Sequence, residues 1–308
     1  MKADRYLPEG YAPASSRHLS ITDIEMYIEN GEIQEGRAIR CDQRHNLHVK
    51  FAGYDAVIPR SEAVSPQTSG ADKEIAVLSR VGHQVSFVIT GIEIDGGGKP
   101  RLILSRKQAQ ERALAHLLKD CPPGTICRGR VTHLEPFGAF VDIGCGVTAL
   151  LPLEYISVAR INHPKERLQA GQNILCIVKQ IDVMQNRFTV SHRELLGTWL
   201  ENAARFAPGE TVTGIVRGIK DYGIFIELTP NLSGLADLRE DIEENDAVSV
   251  YIKSIRPEQM KIKLQILQKL PGPAEKEAFD YYTTDGRIEQ WHYVPPGCEK
   301  VFGSVTFS

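Results

Sequence analysis

The sequence has no long apolar run, no large excess of charge of either sign and no closely spaced pair of cysteines. No stretch approaches the roughly 20 apolar residues of a membrane-spanning helix. The opening, MKADRYLPEGYAP, lacks the apolar core of a signal peptide. The net charge of −3 over 308 residues argues against a uniformly basic nucleic-acid binder. We therefore expect a cytoplasmic protein without a membrane span, whose charge has to be considered region by region.

The six cysteines show neither a C-x-x-C pair nor the ligand spacing of a zinc site. We interpret them as buried thiols in a reducing compartment. They are Cys41, Cys121, Cys127, Cys145, Cys176 and Cys298. His133, His163 and His192 lie too far apart in the sequence to suggest a shared metal ion. We expect no metal and no other cofactor.

Motifs of the common enzyme classes are also missing. The chain has no G-x-S-x-G elbow, no phosphate-binding Gly-Lys-Ser loop and no H-E-x-x-H helix. The glycine-rich segment IDGGGK, which ends at Lys99, lies between two predicted strands and indicates a hairpin turn. We expect a protein that is not an enzyme and has no catalytic residues.

What the sequence does contain is an internal repeat. Gly36-Arg37-Ala38 matches Gly129-Arg130-Val131, GYDAVIP ending at Pro59 matches GVTALLP ending at Pro152, and RLILS matches RFTVS. A third copy runs from about residue 209 to 270. Short alternating apolar segments separated by turn residues predict strands in each copy. The pattern predicts a mainly β protein with three tandem five-stranded barrels.

Helical patterns connect the copies. Ser20 is a predicted N-cap and Gly31 the end of a first helix. A second helix is predicted over 107–119 and a third near 194–206. The predicted divisions are an N-terminal arm and helix (1–30), a degenerate first barrel (31–107), a central barrel (121–193), a third barrel (209–270) and a C-terminal extension (271–308). The aromatic residues of the extension predict a helical turn and a strand, RIEQWHYV, which either covers an exposed edge of the third barrel or binds a partner.

The strand FGAFVDIG of the central copy carries the most informative residues. Strict alternation would put Phe137 and Phe140 on opposite faces, but a bulge at Gly138 would reset the register and turn both rings outward. Asp142 would then lie outside, beside Phe140. The residues expected to point into the barrel are Ala139, Val141 and Ile143. Exposed rings on a barrel surface serve as stacking platforms for the bases of single-stranded nucleic acid.

The central copy resembles the S1 RNA-binding domain family. The resemblance rests on Gly129-Arg130-Val131, FGAFVDIG, LLPLEYIS and RFTVS, which together cover residues 129–191. It implies oligonucleotide-binding-fold (OB-fold) barrels and single-stranded RNA as the ligand. In this family the two rings, the basic residue that opens RFTVS and often a histidine of the third strand contact RNA. Here these positions hold Phe137 and Phe140, Arg187, and, in place of the histidine, Pro152.

Three polar residues of the central copy are further candidates for RNA contact. Alternation in RFTVS puts Arg187 on the outer face, where its guanidinium reaches a phosphate or stacks on a base. Arg130 is a second candidate for phosphate contact. Asp182 either accepts a hydrogen bond from a base or orients Arg187. Residues 121–193 contain eight Lys or Arg against five Asp or Glu, which makes this copy the best candidate for phosphate contact.

The third copy has its own ring strand, YGIFIEL, with Tyr222 and Phe225 at the positions of the two phenylalanines. Lys261 matches Arg187, and Arg256 replaces Asp182. Residues 209–270 hold eight Lys or Arg against ten Asp or Glu, including the acidic loop EDIEEND. We therefore expect this copy to bind RNA more weakly, or to bind a protein instead.

The first copy has His45 and His48 at the ring positions. They either stack on bases, less well than phenyl rings do, or are ordinary surface histidines. Lys50, Lys99 and Arg101 lie where they can meet phosphate.

From the resemblance, we expect a non-enzymatic single-stranded RNA-binding protein of translation or RNA metabolism, with mRNA or ribosomal RNA as the ligand and the ribosome or RNA-processing proteins as further partners. One alternative is an adaptor whose first and third barrels bind proteins while at most one barrel touches RNA. Another is an accessory subunit that brings RNA to a separate nuclease.

Overall fold

The computed structural model describes residues 6–12, 18–64, 71–94, 96–273, 278–298 and 303–307. The described chain forms three closed barrels of five strands each. This confirms the predicted mainly β architecture of three tandem barrels.

The strands of the three barrels follow one another along the chain. The first barrel contains β1 (Ile33–Cys41), β2 (Leu47–Phe51), β3 (Tyr54–Ile58), β4 (Gln84–Ile94) and β5 (Pro100–Ser105). The middle barrel contains β6 (Ile126–Glu135), β7 (Gly138–Asp142), β8 (Thr148–Pro152), β9 (Asn173–Asp182) and β10 (Arg187–Ser191). The third barrel contains β11 (Thr211–Lys220), β12 (Gly223–Thr229), β13 (Leu232–Ala236), β14 (Asp246–Arg256) and β15 (Lys261–Pro273).

All three barrels share one topology. The first three strands form an antiparallel meander, the third strand pairs in parallel with the fifth, and the fourth strand closes the barrel against the first. This is the five-stranded arrangement of OB-folds. Period-two alternation fills each interior with apolar side chains. In the middle barrel Ala139, Val141 and Ile143 are buried in the core, as predicted.

The α-helices are α1 (Ile21–Asn30), α2 (Ala71–Leu78), α3 (Arg106–Asp120) and α4 (Trp199–Ala203). The predicted ends of α1 are confirmed, with a capping box between Ser20 and Asp23 and a left-handed Gly31 after the last turn. The helix predicted over 107–119 begins one residue earlier, after the N-cap Ser105. One side of α3 packs against both the first and the middle barrel, through Ala109, Ala113 and Leu117.

The prediction of one continuous helix near 194–206 is wrong. A 3-10 turn, Arg193–Leu196, is followed by Gly197 with a φ of 83°, and only the five residues of α4 are α-helical. The left-handed glycine ends the first turn. Thr198 then caps a new helix, in a capping box with Glu201.

The N-terminal arm has no helix or strand in residues 6–12, yet it is firmly held. Glu9 is buried between the first and middle barrels, where its carboxylate accepts hydrogen bonds from Arg106 Nε at 2.7 Å and Nη2 at 2.8 Å. Its backbone N–H donates to Asp142 Oδ2 at 2.7 Å. Burial alone would raise the pKa of Glu9, but the Arg106 guanidinium lowers it below its usual value.

Asp142 is therefore buried, and the prediction that it lies exposed beside Phe140 is wrong. Its carboxylate also accepts hydrogen bonds from the backbone of Gly144 and Gly146. Burial and the nearby Glu9 carboxylate raise the pKa of Asp142 to about 7. The alternation placed Asp142 on the outer face of β7 correctly, but the arm covers that part of the face.

A second buried ion pair joins the middle and third barrels. Arg167 Nη1 and Nη2 donate to the two oxygens of Glu227 at 2.7 and 2.6 Å. Arg217 Nε donates to the same carboxylate at 2.7 Å. Burial alone would raise the pKa of Glu227, but the two arginines lower it below its usual value. Register places Glu227 on β12 where Asp142 lies on β7, so both junctions use the same strand position of the following barrel.

The C-terminal extension contains less regular structure than predicted in its described residues. The helical turn is absent from the described part of the extension, 278–298 and 303–307, and the strand is limited to β16 (Gln290–His292), which pairs with β17 (Ser304–Thr306). Trp291 and Tyr293 pack into the core of the third barrel, while Phe307 packs against the middle barrel. The extension thus spans two barrels instead of covering only the third.

Candidate nucleic-acid interface

The predicted ring pair of the middle barrel lies on its outer surface. Phe137 is 57% exposed and Phe140 is half-buried. Their centroids are 6.1 Å apart and their planes are nearly perpendicular, at 88°. An edge-to-face pair of this kind holds both rings in place, and it leaves aromatic surface open for a base.

The reason that both rings face outward differs from the predicted one. Phe137 lies in the turn between β6 and β7 instead of in the strand, and the register shift lies in β6, between Val131 and His133. The predicted bulge at Gly138 is therefore wrong. A Cβ at Gly138 would come within 2.4 Å of the Leu151 carbonyl oxygen, so this position needs a glycine for close approach to β8.

The polar candidates of the middle barrel lie in different places. Arg187 is exposed at the start of β10 and is the direct cross-strand partner of Asp182 on β9. No ion pair joins the two side chains in the described structure. Asp182 instead accepts a hydrogen bond from the backbone of Gln185. Arg130 lies opposite Asp142, near the first barrel, and donates to Asn173 Oδ1 at 2.6 Å. Asp182 and Arg187 thus flank the platform, whereas Arg130 lies at the junction.

The third barrel repeats the ring pair closely. Tyr222 is 70% exposed, Phe225 is half-buried, and the ring centroids are 5.9 Å apart at 87°. Lys261 is exposed at the start of β15 and pairs across the strands with Arg256, as the sequence match to Arg187 and Asp182 predicts.

Among the described residues of the first barrel there is no such ring pair. His45 has a φ of 60° in the turn before β2, and His48 lies half-buried on β2 at the register position of Phe140. His48 Nε2 lies 3.2 Å from Asp42 Oδ2. Backbone hydrogen bonding from Asn46, together with side-chain hydrogen bonds from Asn46 and His48, holds the pKa of Asp42 well below its usual range. Asp42 thus fixes His48 within its own hairpin.

The charged groups beside the first barrel's histidines are also paired. Arg101 Nη2 donates to Glu93 Oε2 at 2.9 Å, and Lys50 pairs with Asp55. Lys99 lies exposed in the β4–β5 turn.

Other functional groups are sparse in the described part of the chain. It contains no cluster of three or more His, Cys, Asp or Glu side chains arranged to hold a metal ion. All six cysteines are free thiols, of which Cys121, Cys145 and Cys176 are buried and the other three half-buried. Among the described helices, none has the length and apolarity needed to cross a membrane.

Known proteins match this chain in part. Residues 121–193 match the family model described as S1 RNA binding domain. Small ribosomal subunit protein bS1 of Leuconostoc lactis is 32% identical over 207 residues, which cover 61% of this chain and 48% of the relative. The bS1 protein of Rhizobium meliloti is 27% identical over 307 residues, which cover 87% of this chain and 54% of the relative. The chain spans about half the length of the curated relatives it matches. The crystal structure of a multidomain protein with nucleic acid binding domains from Streptococcus pneumoniae is also similar. The match covers 77% of this chain and 74% of that chain, at 16% identity and a TM-score of 0.26.

The resemblance predicted from the motifs is thereby confirmed. The middle barrel is an S1 RNA-binding domain, and the chain is similar to ribosomal protein bS1 over most of its length.

Proposed function

We propose that this chain, with its S1 RNA-binding domain in residues 121–193 and its similarity to bacterial ribosomal protein bS1, is a non-enzymatic protein that binds single-stranded RNA. The ring pairs on the outer surfaces of the middle and third barrels, each with one exposed and one half-buried ring, are the observation that carries this proposal. Bases stack on Phe137 and Phe140 in one barrel and on Tyr222 and Phe225 in the other.

The charged residues beside the rings have a second role in this proposal. Arg187 and Lys261 are exposed at matching positions, and neither has an ion-pair partner in the described structure. They contact phosphates of the strand, while Asp182 accepts a hydrogen bond from a base or orients Arg187. Because every base offers a flat face, we expect little sequence preference.

The biological setting follows from the names of the relatives. Since they are proteins of the small ribosomal subunit, we propose mRNA or ribosomal RNA as the ligand, translation as the process and the cytoplasm as the location. Association with the ribosome belongs to the same proposal.

Fluorescence anisotropy with a labelled 15-nucleotide single-stranded RNA tests the proposal. The double variant Phe137→Ala with Phe140→Ala should weaken binding at least tenfold, because stacking contributes roughly 1–3 kcal/mol per base. A matched control removes two exposed apolar side chains of α1, Ile21→Ala with Met26→Ala, and should bind as the parent does. Parent-like affinity in the ring variant, with unchanged circular dichroism, would exclude stacking on this platform.

A further inference from the structure

The three barrels differ in charge at three matching outer positions, which we call the charge row. Two of the positions face each other where the fourth and fifth strands meet, and the third lies two residues further along the fifth strand. The rows are Glu93, Arg101 and Ile103 in the first barrel, Asp182, Arg187 and Thr189 in the middle barrel, and Arg256, Lys261 and Lys263 in the third barrel.

The charge row lies on the same outer surface as the ring pair. In the third barrel Phe225 pairs with Leu235, and Leu235 pairs with Lys263. The middle barrel repeats this with Phe140, Leu150 and Thr189. Neighbouring strands are about 4.8 Å apart, so the third position lies roughly 10 Å across the sheet from the inner ring.

The charge row of the third barrel differs in formal charge from the other two. The first and middle rows each hold one acid and one arginine and are neutral, whereas all three residues of the third row are cations. Arg256, Lys261 and Lys263 are exposed, and no ion pair reaches any of them within the described structure. The nearest acid along the chain, Glu258 in the intervening turn, is exposed and makes no ion pair with them in the described structure.

An unpaired row of cations has a cost for the folded barrel. Arg256 and Lys261 are direct cross-strand partners, and like charges at such positions repel. Other acids of the barrel lie elsewhere: Glu243 and Glu244 precede β14 and Asp246 is its first residue, on the side of β11, while Asp237 pairs with Lys253 at 3.7 Å. An anion bound at the row would relieve the repulsion.

We propose that the third barrel, and not the middle one, is the main phosphate-contacting surface of this chain, through Arg256, Lys261 and Lys263. This inference rests on the proposed function and deepens it. The two barrels divide the work: the neutral middle platform holds bases mainly by stacking, while the third platform adds contacts to up to three phosphates of the single-stranded RNA. The net negative count of residues 209–270 hides this arrangement, because a count does not show that no acid of the described barrel forms an ion pair with the row.

The salt dependence of binding tests the division. For single strands, the slope of log K against log salt concentration changes by about 0.7 per neutralised phosphate. The triple variant Arg256→Gln, Lys261→Gln, Lys263→Gln should therefore reduce the slope by about 2 with the 15-nucleotide RNA. The variant Arg187→Gln should reduce it by about 0.7.

A matched triple variant controls for total charge. Arg205→Gln, Arg239→Gln and Lys269→Gln remove the same formal charge from side chains that are paired with Asp280, Asp241 and Asp246. Arg205 and Lys269 are exposed, and Arg239 is half-buried. This control should leave the slope nearly unchanged. A charge-preserving triple, Arg256→Lys, Lys261→Arg, Lys263→Arg, should keep the parent slope and shows that the row tolerates substitution.

The outcomes separate this inference from the function it rests on. A slope reduced no more by the row variant than by the control would overturn the inference, as would a larger effect of Arg187→Gln, while binding that depends on Phe137 and Phe140 would stand. Failure of the parent protein to bind the RNA at all would instead overturn the proposed function. Fluorescence of Trp199 and Trp291, both buried in the third-barrel core, reports whether each variant is folded.

Discussion

The middle and third barrels present the same pair of rings on the same strand, but they differ in the charge beside the rings and in the way each barrel is attached to the one before it. The ring geometry is nearly identical, with centroids 6.1 and 5.9 Å apart. The charge rows differ by three units of charge, and the junctions use different partners for the matching acids Asp142 and Glu227. The barrel fold therefore fixes where the platform lies, while a few outer residues decide its chemistry.

The largest effect is expected at the junctions. Glu227→Gln leaves the buried Arg167 guanidinium without its carboxylate, whereas Arg217 keeps Glu166 Oε2 at 2.6 Å, and removing one partner of a buried pair costs about 3–5 kcal/mol. The third barrel should therefore unfold at lower urea concentration. Because both tryptophans, Trp199 and Trp291, lie in the third-barrel core, their fluorescence follows this transition.

The control breaks the buried ion pair in the other junction, between the first and middle barrels. Glu9→Gln breaks the pair with Arg106 and should leave the tryptophan transition unmoved, because neither residue touches the third barrel. If Glu9→Gln shifts that transition as much as Glu227→Gln does, the two junctions are not independent.

An intermediate effect is expected from mild acid acting on the buried His192 of the middle barrel. His192 is buried, with Nδ1 2.9 Å from the Ile156 carbonyl oxygen and Nε2 3.1 Å from the Tyr281 hydroxyl. Burial lowers the pKa of His192 to about 4. Its unfolded pKa is about 6.5, so the unfolded state takes up the proton first, and stability falls as pH drops from 6.5 to 4, by on the order of 3 kcal/mol. The third barrel has Ile266 at this position and lacks the effect.

Hydrogen exchange at pH 7 and pH 5, corrected for intrinsic rates, measures this difference in peptides from β9 and β10. Between pH 7 and pH 5 the variant His192→Gln should lose less protection in these peptides than the parent does, or gain more. Asp142, with its raised pKa, acts in the opposite sense, because its contribution grows as pH falls below about 7. The comparison is therefore between variant and parent, and equal acid sensitivity in both would contradict the role of His192.

The smallest effect is expected from converting one platform into the other. Asp182→Arg with Thr189→Lys gives the middle barrel the charges of the third and should steepen the salt dependence of RNA binding by about 1.4. The same exchange in the first barrel, Glu93→Arg with Ile103→Lys, places cations beside His48 instead of a ring pair and should tighten binding less. Equal gains in the two barrels would show that charge acts without the rings.

The sequence was sufficient to predict the repeat and the barrels, because these depend on alternation and spacing within each copy. The outward rings were predicted too, but from a bulge at Gly138 that the structure does not have. The register matches of Lys261 with Arg187 and of Arg256 with Asp182 were likewise predictable, since strand pairing preserves the spacing of the motifs. The break at Gly197 was not predicted, because apolar periodicity continues through it and only the left-handed glycine divides the segment.

Long-range contacts account for the other differences. Asp142 is buried by Glu9, which lies 133 residues earlier, so no local pattern indicates it. Charge counted over the whole third copy hides a row of three cations, because a count does not show which cations lack an ion-pair partner in the described structure. The ligand that binds the candidate site depends on where these charged side chains lie in the assembled barrels, and the sequence alone does not give their positions.

The position of Glu9 also sets an order of events during synthesis. Its partners Ser86, Arg106 and Asp142 follow it by 77, 97 and 133 residues. At roughly 5–20 residues per second, the arm waits on the order of ten seconds after leaving the ribosome before its binding place exists. The arm is thus made before both barrels but seated only after them, and until then the nascent first barrel lacks this contact with the second.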